Sequence, residues 1–201
     1  MKRSGFTLIE LSIVLIIIGL IIGGVMKGRD LINSAEQKKI YNTWVKQWQL
    51  TANAYEDRTG GVLGDGTVNG GTVATENGFC DNVRLDTTTT VQNKLVAVGL
   101  DVPTSNIAST NGGGYKIKGK YSTTNVTAYL YNLYSHTDGS SKNRLYIINM
   151  PTDVAIAFDK MTDGETNSQT GAFRQYPDNT SATGLWPNAK TTKNVNVSLE
   201  L

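Results

Sequence analysis

The 201-residue chain has few of the residues from which most catalytic and metal centres are built. It has one cysteine, Cys80, and one histidine, His136. A single thiol cannot close an intramolecular disulfide, and a lone thiol reads as a small buried hydrophobe. Zinc sites made from several Cys and His ligands, and triads assembled around a histidine, have almost nothing to draw on. The stretch "SHTD" does place Ser135, His136 and Asp138 together, but triads are assembled from residues distant in sequence, and three neighbours on one turn cannot make that geometry. Proline is scarce, with four residues, and none lies in the apolar N-terminal run. Charge is thin as well. The 19 Lys and Arg against 17 Asp and Glu leave +2, with no basic block to mark a nucleic-acid partner. No phosphate-cradling loop is present: the Gly-rich stretch "GGVLGDGTVNGGTVATENG" lacks GxxxxGK[ST], and no strand precedes a GxGxxG. The sequons at Asn125, Asn179 and Asn196 are what chance provides in a chain rich in Asn, Thr and Ser.

What the chain does have is glycine, 21 residues, with abundant Thr, Asn and Ser, a composition that favours turns and strands. It also has one long apolar run, from Phe6 to Met26, interrupted by Thr7, Glu10 and Ser12. As a helix this run spans about 30 Å, roughly one bilayer core. Lys2 and Arg3 precede it, and Lys27, Arg29 and Asp30 follow. A cleaved secretory signal would be shorter and end in an Ala-x-Ala-like site, which is missing here. A plain membrane anchor would have no use for Glu10, because a carboxylate well inside a bilayer costs about 3 kcal/mol on insertion scales.

The stretch "KRSGFTLIELS" resembles the class III leader of type IV prepilins and type II secretion pseudopilins: a short basic leader ending in Gly, then Phe, then Thr-Leu-Ile-Glu-Leu and an uninterrupted apolar helix. The resemblance implies that residues 1–5 are a leader. A prepilin peptidase would cut between Gly5 and Phe6 and methylate the new amine of Phe6. It implies further that Glu10 of one subunit pairs with the Phe6 amine of its neighbour during assembly. The alternative for Glu10 is a carboxylate near the headgroups that is simply hydrated. Gly19, Gly23, Gly24 and Gly28 form overlapping small-xxx-small pairs. These suit close helix–helix approach or local stretching of a helix that lacks the proline of many pilins, although glycine is also simply commoner in membrane helices.

Residues 6–28 are therefore expected to be the transmembrane or filament-core helix, and residues 29–59 its amphipathic continuation. Tyr41, Trp44, Val45, Trp48, Ala52 and Tyr55 recur at spacings of three and four, which is one apolar stripe, and Gly60 and Gly61 stop the helix. One helix from Phe6 to Arg58 would be about 80 Å long. Residues 60–114 read as loop, the variable αβ-loop of the resemblance, with a short helix in "VQNKLVAVGL" ending at Gly99. Residues 115–201 read as an antiparallel sheet domain. Strands are expected in "GYKIKGKY", "VTAYLYNLY" and "RLYIINM", the last two joined by the turn "SHTDGSSKN"; "DVAIAFDKM" fits either a strand or a short helix. The order helix, loop, strands gives an α+β fold with the long helix packed on the sheet.

Near the C-terminus, "AFDKMTDGETNSQTGAFR" resembles the D-x-K-x-D-D-G…G segment of many pilin-like proteins. It matches at Asp159, Lys160, Asp163, Gly164 and Gly171, with Thr162 in place of the first Asp of the pair. Asp159, Asp163 and Glu165, with Asn167 nearby, are the candidate oxygen ligands for calcium, which some major pseudopilins hold in a C-terminal loop. The alternative is a turn closed by Asp side chains on backbone amides. The resemblance implies a structural, non-enzymatic subunit: a homo-oligomer in a helical filament, made as an inner-membrane precursor and handled by a prepilin peptidase and a motor ATPase. The filament would be extracellular, or periplasmic for a pseudopilin. A length of 201 residues exceeds that of a typical major pseudopilin. The reading from another class is a membrane-anchored binding or hydrolytic domain.

Overall fold

A computed structural model describes residues 5, 7–108, 110–178 and 183–201, in two compact units, residues 1–39 and 40–201. The first is helix. α1 (Leu8–Ile40) is the one helical segment, among the described residues, long and apolar enough to cross a membrane. Its leucines, isoleucines and valines from Leu8 to Ile32 are exposed. This is the pattern of a helix whose solvent is something other than water.

Helical backbone continues without a break to Thr59, through a π-helical turn (Tyr41–Val45) and α2 (Lys46–Thr59). The π turn is closed by the Lys46 N–H donating to the Tyr41 carbonyl. The predicted stripe is the buried face: Tyr41, Trp44, Val45, Trp48, Ala52 and Tyr55 all lie in the core. Gly60 takes the left-handed conformation that ends the helix, at φ 73°, and its N–H donates to the Glu56 carbonyl at 2.7 Å.

Against this face packs an antiparallel six-stranded sheet. Its elements are β1 (Val83–Arg84), β2 (Gly114–Lys118), β3 (Thr123–Tyr134), β4 (Ser141–Pro151), β5 (Phe173–Gln175) and β6 (Asn194–Glu200). The spatial order is β1-β3-β4-β6-β5, with β2 also pairing with β3. β5 and β6 add to the expected strands, and "NVNVSLE" alternates cleanly: Val195, Val197 and Leu199 enter the core. The segment 60–114 holds more order than a loop. It contains β1 and the short helix α3 (Thr90–Ala97), which Gly99 at φ 72° ends as expected. The ambiguous "DVAIAFDKM" is helix, α4 (Thr152–Asp163). Val154, Ala155, Phe158 and Asp159 are buried at helical spacing, and Gly164 at φ 81° caps its end.

The helix and the loop region share one buried acceptor. Trp44 Nε1 and Trp48 Nε1, one turn apart and fully buried, both donate to the Gly112 carbonyl oxygen, at 2.8 and 2.9 Å. Gly112 has φ 82°, and a Cβ there would run into the Pro103 carbonyl, so only glycine fits. Because the two indoles share one acceptor, their contributions are coupled. Trp44→Phe and Trp48→Phe each leave the carbonyl one donor and should each cost about 1–2 kcal/mol in denaturant unfolding. The double variant should cost about 1 kcal/mol more than their sum, since it leaves a buried carbonyl unpaired; strict additivity would show that the shared oxygen is not a coupling point. Gly112→Ala should cost about 3 kcal/mol or more, through both strain and clash.

Candidate functional site

At the N-terminus, the cleavage pair is only half visible. Gly5 is exposed, whereas Phe6 and residues 1–4 lie outside the described residues, so the expected processing and methylation at Phe6 have no geometry here. Immediately after it, Thr7 and Glu10 close a reciprocal cap. The Thr7 N–H donates to Glu10 Oε2 at 2.7 Å, the Thr7 hydroxyl donates to the same oxygen at 2.8 Å, and the Glu10 N–H donates to Thr7 Oγ1 at 3.3 Å. This is a capping box, spelled in the sequence as T-L-I-E, and it adds a third role for Glu10 beside the ion pair and the hydrated carboxylate. It places the carboxylate at the positive end of α1 and gives it local donors. The same box satisfies N–H groups that the first turn of any helix leaves unpaired.

Gly19, Gly23, Gly24 and Gly28 lie on α1, and among the described residues nothing beyond the helix's own neighbouring backbone comes within 4 Å of where a Cβ would stand. Among the described residues, no close packing therefore requires glycine at these positions.

The acidic segment after α4 is built by backbone donors. Asp163, in the last turn of α4, accepts the N–H groups of Ala172 and Phe173, each at 3.0 Å. Gly171, at φ 90°, lies so close that a Cβ would strike the Asp163 carboxylate. Asp159, 1% exposed, accepts Trp186 Nε1 at 2.7 Å and the Asn167 N–H at 2.8 Å, both on Oδ2. Asn167 in turn accepts the Gln169 N–H at 3.0 Å. These bonds tie α4, the loop after it, β5 and the segment around Trp186 together, which is the turn-closing alternative. Asp159, Asp163 and Glu165 do not converge: Glu165 is exposed, and no three His, Cys, Asp or Glu side chains among the described residues could hold one metal ion. Both Asp163 oxygens and Asp159 Oδ2 accept protein N–H groups, and Asp159 Oδ1 is buried with no hydrogen-bond partner among the described residues.

"SHTD" is also a structural knot. Asp178, from the segment after β5, accepts the Ser135 hydroxyl at 2.8 Å on Oδ2. On Oδ1 it accepts the His136 N–H at 2.9 Å and lies 3.0 Å from His136 Nδ1. The acid sits between serine and imidazole, so the ring cannot act as a base on the hydroxyl. Burial works against the Asp178 charge, but the His136 N–H, the Ser135 hydroxyl, the His136 ring and the Arg174 guanidinium more than offset it and hold the carboxyl at about 2. Cys80 is buried, and burial, with Asp65 and Asp81 nearby, pushes its thiol up to about 12. This is an inert thiol.

Burial pushes the Asp159 carboxyl up to about 6, with Asp163 adding to the rise and Trp186 and Asn167 opposing it. A raised folded value means that the folded chain binds this proton more tightly than the unfolded one. The contribution to stability is present at low pH and is lost as pH rises from about 4 to about 6. Asp159→Asn keeps an oxygen for Trp186 without the buried charge. It should raise stability at pH 7.5, by at most about 2 kcal/mol in denaturant unfolding, and flatten the pH 4–7 dependence; a variant that loses as much stability as the parent chain between pH 4.5 and pH 7.5 would contradict this account of Asp159.

A family model described as the prokaryotic N-terminal methylation motif matches residues 1–26. No curated protein and no solved structure gives a significant match to the chain. With the methylation motif at its start, a long apolar helix behind it and an antiparallel sheet packed on the helix's rear half, the chain has the features that support the type IV pilin and pseudopilin family.

Proposed function

We propose that this chain is the structural subunit of a type IV pilus-like extracellular filament, made as a membrane-anchored precursor. The observation that carries the reading is the methylation motif joined to α1. The helix exposes an apolar surface that water does not favour, and two environments can cover it: lipid before assembly and the helices of other copies after it. The open glycines Gly19, Gly23, Gly24 and Gly28 suit such close approach. In this reading a prepilin peptidase cuts between Gly5 and Phe6 and methylates Phe6, and a motor ATPase drives assembly. Glu10 then exchanges its local cap for the Phe6 amine of a neighbouring copy. The capping box supports this order of events, since it gives the carboxylate donors before a partner amine exists.

The function asks no catalysis and no cofactor of the chain. A periplasmic pseudopilus is the neighbouring role. The length of 201 residues favours a pilus subunit or a minor component over a major pseudopilin.

Mass spectrometry of filaments sheared from cells should find this chain starting at N-methylated Phe6; any other mature N-terminus would defeat the proposal. Glu10→Ala should be processed at the same bond yet give at least about tenfold less filament, the effect of losing an ion pair in an apolar setting. Wild-type filament yield from that variant would remove Glu10 from assembly.

A further inference from the structure

β2 pairs with β3 on one side only, and its other edge would be expected to show a row of unpaired backbone groups. In an antiparallel strand the N–H and C=O of one residue point to the same side, and alternate residues share that side. Gly114, Lys116 and Lys118 therefore face the open edge. Two of these three positions are occupied by side chains of a single dipeptide. The Lys116 N–H donates to Asn106 Oδ1 at 2.6 Å, and Asn106 Nδ2 donates to the Lys116 carbonyl at 2.9 Å. The Asn106 amide thus makes the same two-bond exchange that a neighbouring strand would make. The Ser105 hydroxyl donates to the Gly114 carbonyl, and it also accepts the Ile107 N–H at 2.9 Å, which fixes the turn. Lys116, Lys118 and Lys120 are all exposed here, so a second β2 laid alongside would bring lysine against lysine.

We propose that Ser105 and Asn106 act as a side-chain surrogate for a further strand, closing the β2 edge to strand addition by a second copy of this chain. The need for closure rests on the filament reading. A protein that polymerises through its helix holds its sheet domains at high local concentration, and an open edge there would compete with the intended assembly. The closure itself does not depend on that reading. The two guards differ in kind: the amide removes the vacant hydrogen-bonding groups, and the lysines repel a like-charged copy at low salt.

The test uses the full chain in detergent micelles, with Asn106→Ala and Asn106→Asp. Exchange of the Lys116 amide should quicken about tenfold or more in Asn106→Ala, because its acceptor is gone. Asn106→Asp keeps the acceptor but cannot donate to the Lys116 carbonyl, so it should preserve the slow exchange and open only half of the edge. Lys118→Cys, added to each background, reports pairing through a short bismaleimide; the buried Cys80 does not compete. Cross-linked dimer should form with Asn106→Ala, less with Asn106→Asp and least with Asn106 intact, and should increase in about 0.5 M salt as lysine repulsion is screened. Equal dimer yields in all three backgrounds at high salt overturn the proposal, whatever the exchange rates do. Should Asn106→Ala fail to fold, the comparison of Asn106→Asp with Asn106 decides. A chain that never forms filaments leaves these readouts intact, so failure of the filament reading is distinguishable.

Discussion

The sheet domain is organised around one carbonyl oxygen. Gly112 O receives both indole N–H groups of the helix face, Trp44 and Trp48, inside a core from which water is excluded. A buried indole without a partner is costly, and so is a buried carbonyl. One oxygen with two lone pairs resolves three such demands at once. The geometry dictates much of what surrounds it. Residue 112 must be glycine, the segment arriving from Pro103 must pass close by, and β2, which begins at Gly114, is delivered to the sheet from there. The Tyr115 ring packs against Trp44 at 5.2 Å, so the start of the strand is held by the same tryptophan.

A second constraint recurs through the irregular parts. Segments rich in Gly, Thr and Asn carry many backbone N–H groups and few apolar side chains to anchor them. Here carboxylates do the anchoring. Asp81 accepts the N–H groups of Gly66, Thr72 and Val73, each at 3.0 Å, and buried Asp65 accepts those of Asn77 and Gly78. Asp163, Asp159 and Asp178 do the same further along the chain. A carboxylate can hold several N–H groups at once with charge-assisted bonds, so one Asp fixes a turn that would otherwise need a strand partner. Two of the acidic residues that suggested a cation site, Asp159 and Asp163, belong to this set, and Glu165 does not.

The two ends of the long helical segment obey different solvents. From Leu8 to Ile32 apolar side chains point outward on every side, while from Tyr41 to Tyr55 all the large apolar side chains except Leu50 lie on one buried face. The first pattern calls for lipid or other helices, the second for a sheet. Glu10 belongs to the first part without contradicting it. It lies in the first turn, where the helix needs acceptors, and Thr7 supplies its donors.

The sequence by itself determined the elements whose causes are local. The leader-like motif and the apolar run are contiguous, the aromatic stripe follows helical spacing, and Gly60 and Gly99 mark helix ends by chemistry within one turn. "NVNVSLE" carries its strand signal in plain alternation, and "TLIE" spells the cap, so both are legible in the sequence. Tertiary structure alone decided the rest, because the rest depends on which distant groups meet. No spacing rule puts Gly112 beneath two tryptophans, seats Asp178 between Ser135 and His136, or lays Asn106 along Lys116. The same holds for the acidic loop. Whether Asp159 and Asp163 ligate a cation or accept amides depends on where Trp186, Ala172 and Phe173 lie, and only packing brings those donors within reach. Periodicity records how a segment meets its solvent, whereas a hydrogen bond across the fold records which segments pack together, and that is settled only when the whole core closes.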